Sequence, residues 1–304
     1  MDMQAGPRKQ APLSAEARRG HLAMLAFSAL VAGSFSLGAM VAPLVDPAAL
    51  TALRFALAAA VVGLVAALGP GLRAEQFRAP WRHVVLGFLM ALYFVLMFEG
   101  LKTATAVSTA AVFTLTPLMA AGFGWVLLRQ GLTGRMALAL SIGALGAVWV
   151  IFRGDPAALA AFEVGRGEAV FFVGCVAHAF YAPLVRKLNR GEPALSLSFG
   201  MMVAGCAMLT LWAWAAIRAT DWAGLPAIVW ITLVYIAVAA SAASFVLLQY
   251  AALRLPASKV MAYTYLTPAW VILWEIALLR GAPPPVVLGG VVLTVLALWM
   301  LLKD

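Results

Sequence analysis

The chain has 304 residues, of which 64% are hydrophobic and 11% are charged, and its mean hydropathy is +0.99. A chain of this composition cannot present a polar surface to water, which excludes a soluble globular protein and predicts an integral membrane protein. The formal net charge is +9. Because most of the positive residues flank apolar stretches, this charge indicates membrane topology, and we expect lipid but no nucleic acid as a partner.

Ten apolar stretches follow one another along the chain, each near the roughly 20 residues that a helix needs to cross the hydrocarbon core. In chain order, spans 1 to 10 are predicted at 22–43, 48–68, 83–101, 104–128, 134–152, 167–185, 195–217, 226–250, 257–279 and 285–302. Little chain remains between them, which leaves no room for a soluble catalytic domain or a nucleotide-binding domain.

The distribution of lysine and arginine predicts that both termini are cytoplasmic, because positive residues flanking a span resist translocation. With that orientation, the cytoplasmic segments hold Arg8, Lys9, Arg18, Arg19, Arg73, Arg78, Arg82, Arg129, Arg135, Arg186, Lys187, Arg190, Arg254, Lys259 and Lys303. The outer segments hold only Lys102, Arg153, Arg166, Arg218 and Arg280. Arg54 lies inside span 2 and belongs to neither group.

A sequence repeat divides the chain into two halves. Leu115-Thr116-Pro117 recurs as Leu266-Thr267-Pro268, and ten residues after each proline the chain reads Leu-Leu-Arg. Each half contains five spans, and because five is odd the second half enters the membrane from the opposite side. The prediction is an all-α integral membrane protein whose ten transmembrane helices form two inverted-topology five-helix repeats around a central cavity, as in many secondary transporters.

The predicted organisation has four parts. Residues 1–20 form a disordered cytoplasmic tail, 21–152 the first repeat, 153–166 a periplasmic linker and 167–304 the second repeat.

The chain resembles the EamA-type transporters of the drug/metabolite transporter superfamily over nearly its whole length. The resemblance rests on two five-helix units whose fourth helices, at 106–117 and 257–268, are rich in Ser, Thr and Ala and carry a proline. The second of these segments, ASKVMAYTYLTP, is most similar to bacterial exporters of aromatic amino acids. The chain departs from the family at Gln130 and Gly281, where a glutamate often follows the fourth helix. The resemblance implies an inner-membrane carrier without a cofactor.

Pro117 and Pro268 are predicted to bend spans 4 and 9, because proline removes a helical hydrogen bond and clashes with the preceding turn. Such bends suit hinges in a moving gate. The alternative is a static kink whose freed backbone groups are satisfied by neighbouring hydroxyl groups. The hydroxyls in question belong to Thr114 or Thr116 in span 4 and to Thr264 or Thr267 in span 9.

Lys259 is the principal candidate for binding substrate. With Tyr263, Thr267 and Trp270 it occupies one predicted face of span 9, so a cation, a phenol, a hydroxyl and an indole share that face. The cation suits a substrate carboxylate, and the aromatic rings suit stacking. The alternative is that Lys259, close to the start of the span, extends its ammonium group to the cytoplasmic surface.

Four further residues are candidates for lining the cavity. His178 and Tyr181 share a face of span 6, while Tyr93 lies in span 3 and Phe113 in span 4. A buried histidine can equally be a neutral residue bonded to a neighbouring helix.

Glu99 and Glu275 lie near the outer ends of spans 3 and 9, which indicates a gate or structural contact, and Lys102 is near enough to pair with Glu99. Energy coupling has two interpretations. One is facilitated diffusion, and the other is proton antiport through His178 or Glu99.

The leading prediction is therefore a monomeric secondary transporter that exports aromatic and other apolar amino acids. A carrier of the same fold for other metabolites or drugs is the alternative, because a few cavity side chains decide the substrate. A membrane-embedded enzyme is remote, since His21, His83 and His178 lie on separate segments without metal-ligand spacing.

Overall fold

A computed structural model describes residues 15–69, 71–161 and 163–302. Within those ranges the chain is helical and contains no strand. Eight of the helices found there are long and apolar enough to cross a membrane, and a shorter apolar helix covers Val286–Leu302.

All ten predicted spans are helical, and three of them are composite. Spans 1, 2, 3 and 5 are the helices Ala15–Val41, Pro47–Leu68, Pro80–Gly100 and Gly134–Ile151, and span 4 consists of Ala106–Phe113 followed by Thr116–Leu128. Spans 6, 7 and 10 are Arg166–Leu188, Ala194–Trp212 and Val286–Leu302. Span 8 comprises Ala227–Ala237, the π-helical segment Val238–Ala243 and Ser244–Ala252, and span 9 comprises Ala257–Ala262, the 3₁₀ turn Tyr263–Leu266 and Thr267–Ala277. The helix of span 7 ends at Trp212, short of the predicted 217, and a separate short helix, Trp214–Ala219, follows it. The other short helical segments are Ala74–Phe77, Pro156–Ala160 and Trp222–Gly224.

The first helix begins earlier than the hydropathy predicts. It starts at Ala15, so residues 15–20 of the predicted tail are helical, while residues 1–14 lie outside the described part of the chain. Alanine, glutamate and arginine in this stretch favour a helix although they are too polar for the hydrocarbon core. The predicted linker at 153–166 likewise contains a short helix, Pro156–Ala160.

Local capping explains where several spans begin. The Asp46 carboxylate accepts hydrogen bonds from the backbone N–H groups of Ala48 and Ala49, both at 2.9 Å, and Pro47 occupies the first turn. At span 4 the Thr105 hydroxyl accepts from the Ser108 N–H at 3.2 Å. These side chains satisfy N–H groups that have no partner within the helix.

The packing between spans follows the repeat. Span 3 packs on span 6 as span 8 packs on span 1, and span 4 packs on span 6 as span 9 packs on span 1. Spans 2 and 7, 4 and 9, and 5 and 10 pair with their own counterparts. This exchange of equivalent pairs is what an inverted repeat requires, and it confirms the predicted fold. We use "inner end" for the end of the bundle where span 1 begins and span 10 ends, and "outer end" for the opposite one.

Glycines allow the closest approaches between spans. A Cβ atom on Gly146 would lie 2.7 Å from the carbonyl oxygen of Gly290, and one on Gly87 would lie 2.7 Å from that of Met201. Spans 5 and 10, and spans 3 and 7, therefore meet backbone to backbone, as small residues permit in membrane helices.

Candidate functional site

The centre of the bundle contains a small cavity where the two repeats meet. Spans 1, 3, 6 and 8 supply its lining, which consists of Phe27, Val31, Ser34, Tyr93, Phe94, Met97, His178 and Phe245. Its volume is about 10 Å³, close to the least that one water molecule needs. The structure is therefore a closed state of the cavity, and any larger ligand requires the helices to separate.

Aromatic rings surround the His178 side chain. The centroid of its ring lies 4.5 Å from that of Tyr93, 5.0 Å from that of Phe113 and 6.4 Å from that of Phe27. His178 is buried, and its Nδ1 atom has no hydrogen-bond partner within residues 15–69, 71–161 and 163–302. The Ser34 hydroxyl in the same lining is also without a partner among the described residues. An apolar, aromatic enclosure with a few unsatisfied polar groups is typical of a small-molecule site.

Three of the predicted substrate residues, His178, Tyr93 and Phe113, are thus brought together at the centre. Tyr181 lies one turn further along span 6, where its buried hydroxyl accepts a hydrogen bond of 2.7 Å from Gln249 Nε2 of span 8. That hydroxyl links spans 6 and 8 within the second repeat.

Lys259 and Tyr263 lie away from the central cavity, toward the inner end. Tyr263 Oη lies 3.2 Å from His21 Nδ1 of span 1, and Lys259 is half-buried in the first turn of span 9. Further along the same span, Trp270 Nε1 donates to Ser28 Oγ of span 1 at 3.2 Å. The predicted face of span 9 therefore lies against span 1, with its cation at one end.

Thr267 lies between these contacts and is fully buried. Its hydroxyl has no hydrogen-bond partner among the described residues. It is therefore a buried and unsatisfied polar group near the middle of span 9.

The two prolines coincide with interruptions in their helices. Span 4 is interrupted at Thr114 and Leu115, before Pro117, and span 9 tightens into a 3₁₀ turn before Pro268. At this level the spans touch, since Thr116 Oγ1 lies 3.1 Å from Thr264 Oγ1. Proline explains both breaks, because it leaves the carbonyl four residues earlier without its N–H.

Glu99 and Glu275 lie at the outer end. Glu99 forms an ion pair of 2.6 Å with Lys102, the pairing that their spacing predicts. Glu275 pairs with Arg280 at 3.1 Å and faces an open depression of about 300 Å³ that Arg153 and Ser108 also line. Both glutamates therefore lie where an outer gate would be, away from the His178 cluster.

A buried ion pair closes part of the inner end. Arg82 at the start of span 3 contacts Glu192, in the loop before span 7, at 2.5 Å, and both side chains are buried. Burial raises the pKa of the Glu192 carboxyl, but hydrogen bonds from Arg82 and from the Arg190 N–H outweigh burial and lower that pKa below its ordinary value. Glu192 therefore stays ionised at neutral pH beside Arg82.

Sequence reasoning missed one residue of this region, Arg54. It is fully buried about one turn from the middle of span 2. Its Nε donates to Ser241 Oγ at 2.6 Å and its Nη2 donates to the Ala240 carbonyl at 2.7 Å, both in the π-helical segment of span 8. The available signal was an arginine inside an apolar stretch, which usually marks function.

Comparison with known proteins decides the family. A model of the EamA-like transporter family matches residues 18–152 and again 165–303, so each repeat is recognised separately. The chain belongs to the EamA-like transporter family. It is thus a multi-pass membrane transporter of the drug/metabolite transporter superfamily and not an enzyme.

Two similar proteins support this EamA assignment. The uncharacterized transporter YyaM of Bacillus subtilis (strain 168) is 26% identical over 275 residues, which cover 89% of this chain and 90% of YyaM. A solved crystal structure matches with a TM-score of 0.72 at 21% identity, covering 95% of this chain and 96% of the other. At that identity the structural likeness shows the fold alone.

A hydrogen bond in the structure explains one departure of this chain from the EamA pattern. Gln130, which stands where a glutamate often follows the fourth helix, accepts a hydrogen bond on Oε1 from the Ala257 N–H at 3.1 Å. It thereby caps the start of span 9 from the end of span 4. The contact needs an oxygen and no negative charge, so glutamine is sufficient for it.

Proposed function

We propose that this transporter exports amino acids, chiefly aromatic and other apolar ones, across the bacterial inner membrane by alternating access. In this proposal the chain acts as a monomer with both termini in the cytoplasm. The observation that carries the proposal is the aromatic cluster around His178 at the junction of the two repeats. Aromatic rings in offset or edge contact offer a favourable environment to an apolar or aromatic side chain.

The small size of the central cavity supports a carrier over a channel. A space of about 10 Å³ cannot hold an amino acid, so the substrate must enter when one end of the bundle opens. The inverted repeat supplies two equivalent ways of opening, one toward each side. In this state Arg82 pairs with Glu192 at the inner end, and the Ser108 hydroxyl donates to the Glu168 carboxylate at the outer end at 2.7 Å.

The experiment is solute counterflow in liposomes that contain the purified protein. Vesicles are loaded with unlabelled phenylalanine, labelled phenylalanine is added outside, and the assay is repeated with methionine, threonine, glutamate and a cationic drug. The proposal predicts accumulation with phenylalanine and methionine and none with glutamate or the drug. Accumulation of the drug alone would support the alternative hypothesis, a carrier of drugs or other metabolites.

A matched pair of variants links the activity to the centre of the bundle. Phe113→Leu alters a ring next to His178, whereas Phe88→Leu alters an exposed ring on span 3. We expect Phe113→Leu to reduce counterflow of phenylalanine more than that of methionine and Phe88→Leu to change neither. Equal activity in both variants would remove the aromatic cluster from the substrate site.

Lys259 and Tyr263 remain proposed substrate contacts at the inner end, where the path would open to the cytoplasm. Lys259→Ala is expected to reduce counterflow if the ammonium group meets the substrate there. Unchanged counterflow would leave Lys259 as a residue that reaches the membrane surface.

A further inference from the structure

Arg54 carries a buried positive charge that no acidic side chain neutralises. None of the ion pairs among the described residues includes it, and its two hydrogen-bond acceptors are the neutral Ser241 hydroxyl and Ala240 carbonyl. Its Nη1 atom is buried and has no hydrogen-bond partner in the described part of the chain. A charge inside a membrane bundle costs several kcal/mol unless it is paired, so such a group requires an explanation.

Arg82 shows how the same protein treats an arginine with a purely structural contact. That side chain is buried nearly as completely, yet it lies against the Glu192 carboxylate and also donates to the Leu188 carbonyl at 2.8 Å. The difference between the two arginines is the missing anion at Arg54. A structural link to span 8 alone would not need a permanent cation.

The guanidinium group of Arg54 is separated from the central cavity by one aromatic ring. Its Cζ atom lies 3.5 Å from the centroid of the Phe94 ring, and Phe94 also lines the cavity. Phe94 in turn contacts Tyr93 and Phe245, with ring centroids 4.6 Å and 5.6 Å away. A rotation of the Phe94 side chain would therefore expose the cation to the space next to His178.

We propose that Arg54 binds the carboxylate of the transported substrate when the cavity opens. The inference rests on the proposed function and deepens it, because it requires the substrate to be an organic acid with an apolar or aromatic body. A guanidinium group presents two parallel N–H donors that match a carboxylate, and it keeps its charge when buried. The Nη1 atom, free in the closed state, supplies the first of these donors.

The position of Ala240 suggests how binding is transmitted. The carbonyl that Arg54 holds belongs to the π-helical segment Val238–Ala243, and π-helical segments are frequent at functional sites. Because each Nη atom carries two hydrogens, a carboxylate bound by both Nη atoms leaves Nη2 with a second hydrogen for the Ala240 carbonyl. Arg54 thereby connects the substrate, bound from repeat 1, to span 8 in repeat 2.

The test uses pairs of ligands that differ only in the carboxylate. Dissociation constants for phenylalanine and phenylalaninamide, and for phenylacetate and phenylacetamide, are obtained from ligand-dependent thermal shifts of the purified full-length protein. In the unchanged protein each acid should bind about tenfold or more tightly than its amide, as a charge-assisted hydrogen bond predicts. Arg54→Met should reduce both ratios to near one.

Two other variants complete the design. Arg82→Met removes an equally buried arginine that is already paired, and it should leave the acid-to-amide ratios unchanged while lowering thermal stability. Arg54→Lys keeps the charge but loses the two-pronged geometry, so each ratio should fall severalfold. If Arg54→Met does not fold, the Arg54→Lys ratio decides.

The outcomes separate this inference from the proposed function. Ratios near one in the unchanged protein, or ratios that survive substitution of Arg54, overturn the inference while counterflow of phenylalanine can still stand. A preference for phenylacetate over its amide that depends on Arg54, without any binding of phenylalanine, supports the inference and contradicts amino-acid export.

Discussion

Spans 4 and 9 carry the same proline motif, but the carbonyl group that each proline leaves without its N–H finds a different hydrogen-bond donor in each span. In span 4, the carbonyl of Phe113, four residues before Pro117, accepts a hydrogen bond of 2.7 Å from Thr116 Oγ1. In span 9, the equivalent hydroxyl on Thr267 has no partner, and the Thr264 carbonyl accepts the backbone N–H of Thr267 instead. Duplication has thus preserved the break in each helix while the hydrogen bonds that stabilise it have diverged.

The surroundings of the two breaks diverge as well. Tyr265 of span 9 inserts its ring against Gly143 of span 5, where an added Cβ would lie 2.6 Å from the tyrosine Cε1. In span 4 the corresponding residue is Thr114, whose hydroxyl bonds back to the Ala111 carbonyl at 2.6 Å. The Thr114 hydroxyl at the break in span 4 therefore bonds within its own span, whereas the Tyr265 ring at the break in span 9 packs against span 5. We infer that span 9 is the more readily altered of the two.

The largest expected effect concerns Gly143, whose lack of a side chain leaves a notch in span 5 for the Tyr265 ring. Gly143→Leu should expel Tyr265 and lower the stability of the folded protein by about 3 kcal/mol or more, because overpacking a tight contact forces the backbone to move. Thermal unfolding in detergent, followed by size-exclusion chromatography, measures the loss.

Gly122→Ala in span 4 is the matched control, since nothing lies within 4 Å of the added Cβ. That variant should be as stable as the parent or slightly more so, given the higher helix propensity of alanine. Equal stability of the two variants would show that Tyr265 does not depend on the notch.

Thr116→Val should have the next largest effect. It removes the hydroxyl that bonds the Phe113 carbonyl and leaves a buried acceptor without a partner, which costs about 1–3 kcal/mol. The same thermal unfolding experiment detects the change. A melting temperature equal to that of the parent would mean that backbone or water satisfies this carbonyl.

Replacement of the prolines should affect turnover more than binding. Pro268→Ala restores an N–H that can bond the Thr264 carbonyl and straighten span 9, so we expect counterflow to slow severalfold with little change in affinity. Pro117→Ala should have a similar effect, because the carbonyl four residues before each proline already has another donor in the interrupted helix. Reduced affinity with normal turnover would contradict a hinge at either proline.

Thr267→Val should have the smallest effect on stability, near zero or slightly favourable. Its hydroxyl is buried without a partner, and valine replaces it with an apolar group of the same shape. Weaker phenylalanine binding by this stable variant would assign the hydroxyl to the substrate site. Unchanged binding, together with unchanged stability, would exclude Thr267 from that site.

Hydropathy and the repeated motif were sufficient to predict the fold, because the bilayer allows few alternatives to apolar helices of matching length. They also placed His178, Tyr93 and Phe113 among the cavity candidates, although the sequence did not show that these three rings touch. What could not be predicted were contacts between repeats, such as Thr116 with Thr264 or Arg54 with Ser241. Such contacts depend on how helices far apart in sequence are rotated, and hydropathy carries little of that information.

The π-helical segment in span 8 is another feature that could not be predicted from the sequence. Nothing in the composition of Val238–Ala243 distinguishes it from an ordinary helix, and its wide turn is apparent only together with the arginine that bonds it. For Lys259 the sequence indicated a role, but it did not show how deep the residue lies in the bundle. Its residue type and helical face suggested a substrate contact, but its depth in the bundle was fixed by the start of span 9 at Ala257.

In the proposed transport cycle one cavity opens alternately to the two sides of the membrane, and chemical labelling at Ser34 can detect both openings. Ser34 lines the cavity, and its hydroxyl has no partner. Ser34→Cys is introduced after Cys175 and Cys206 have been replaced by alanine, and a membrane-impermeant thiol reagent is applied to right-side-out and to inverted vesicles. Ser36→Cys, equally buried but not part of the lining, serves as the control.

With alternating access, Ser34→Cys should be modified from both sides, phenylalanine should slow both reactions and Ser36→Cys should stay unmodified. Modification of Ser34→Cys from one side only, or at a rate that phenylalanine does not change, would contradict alternating access to a central substrate site.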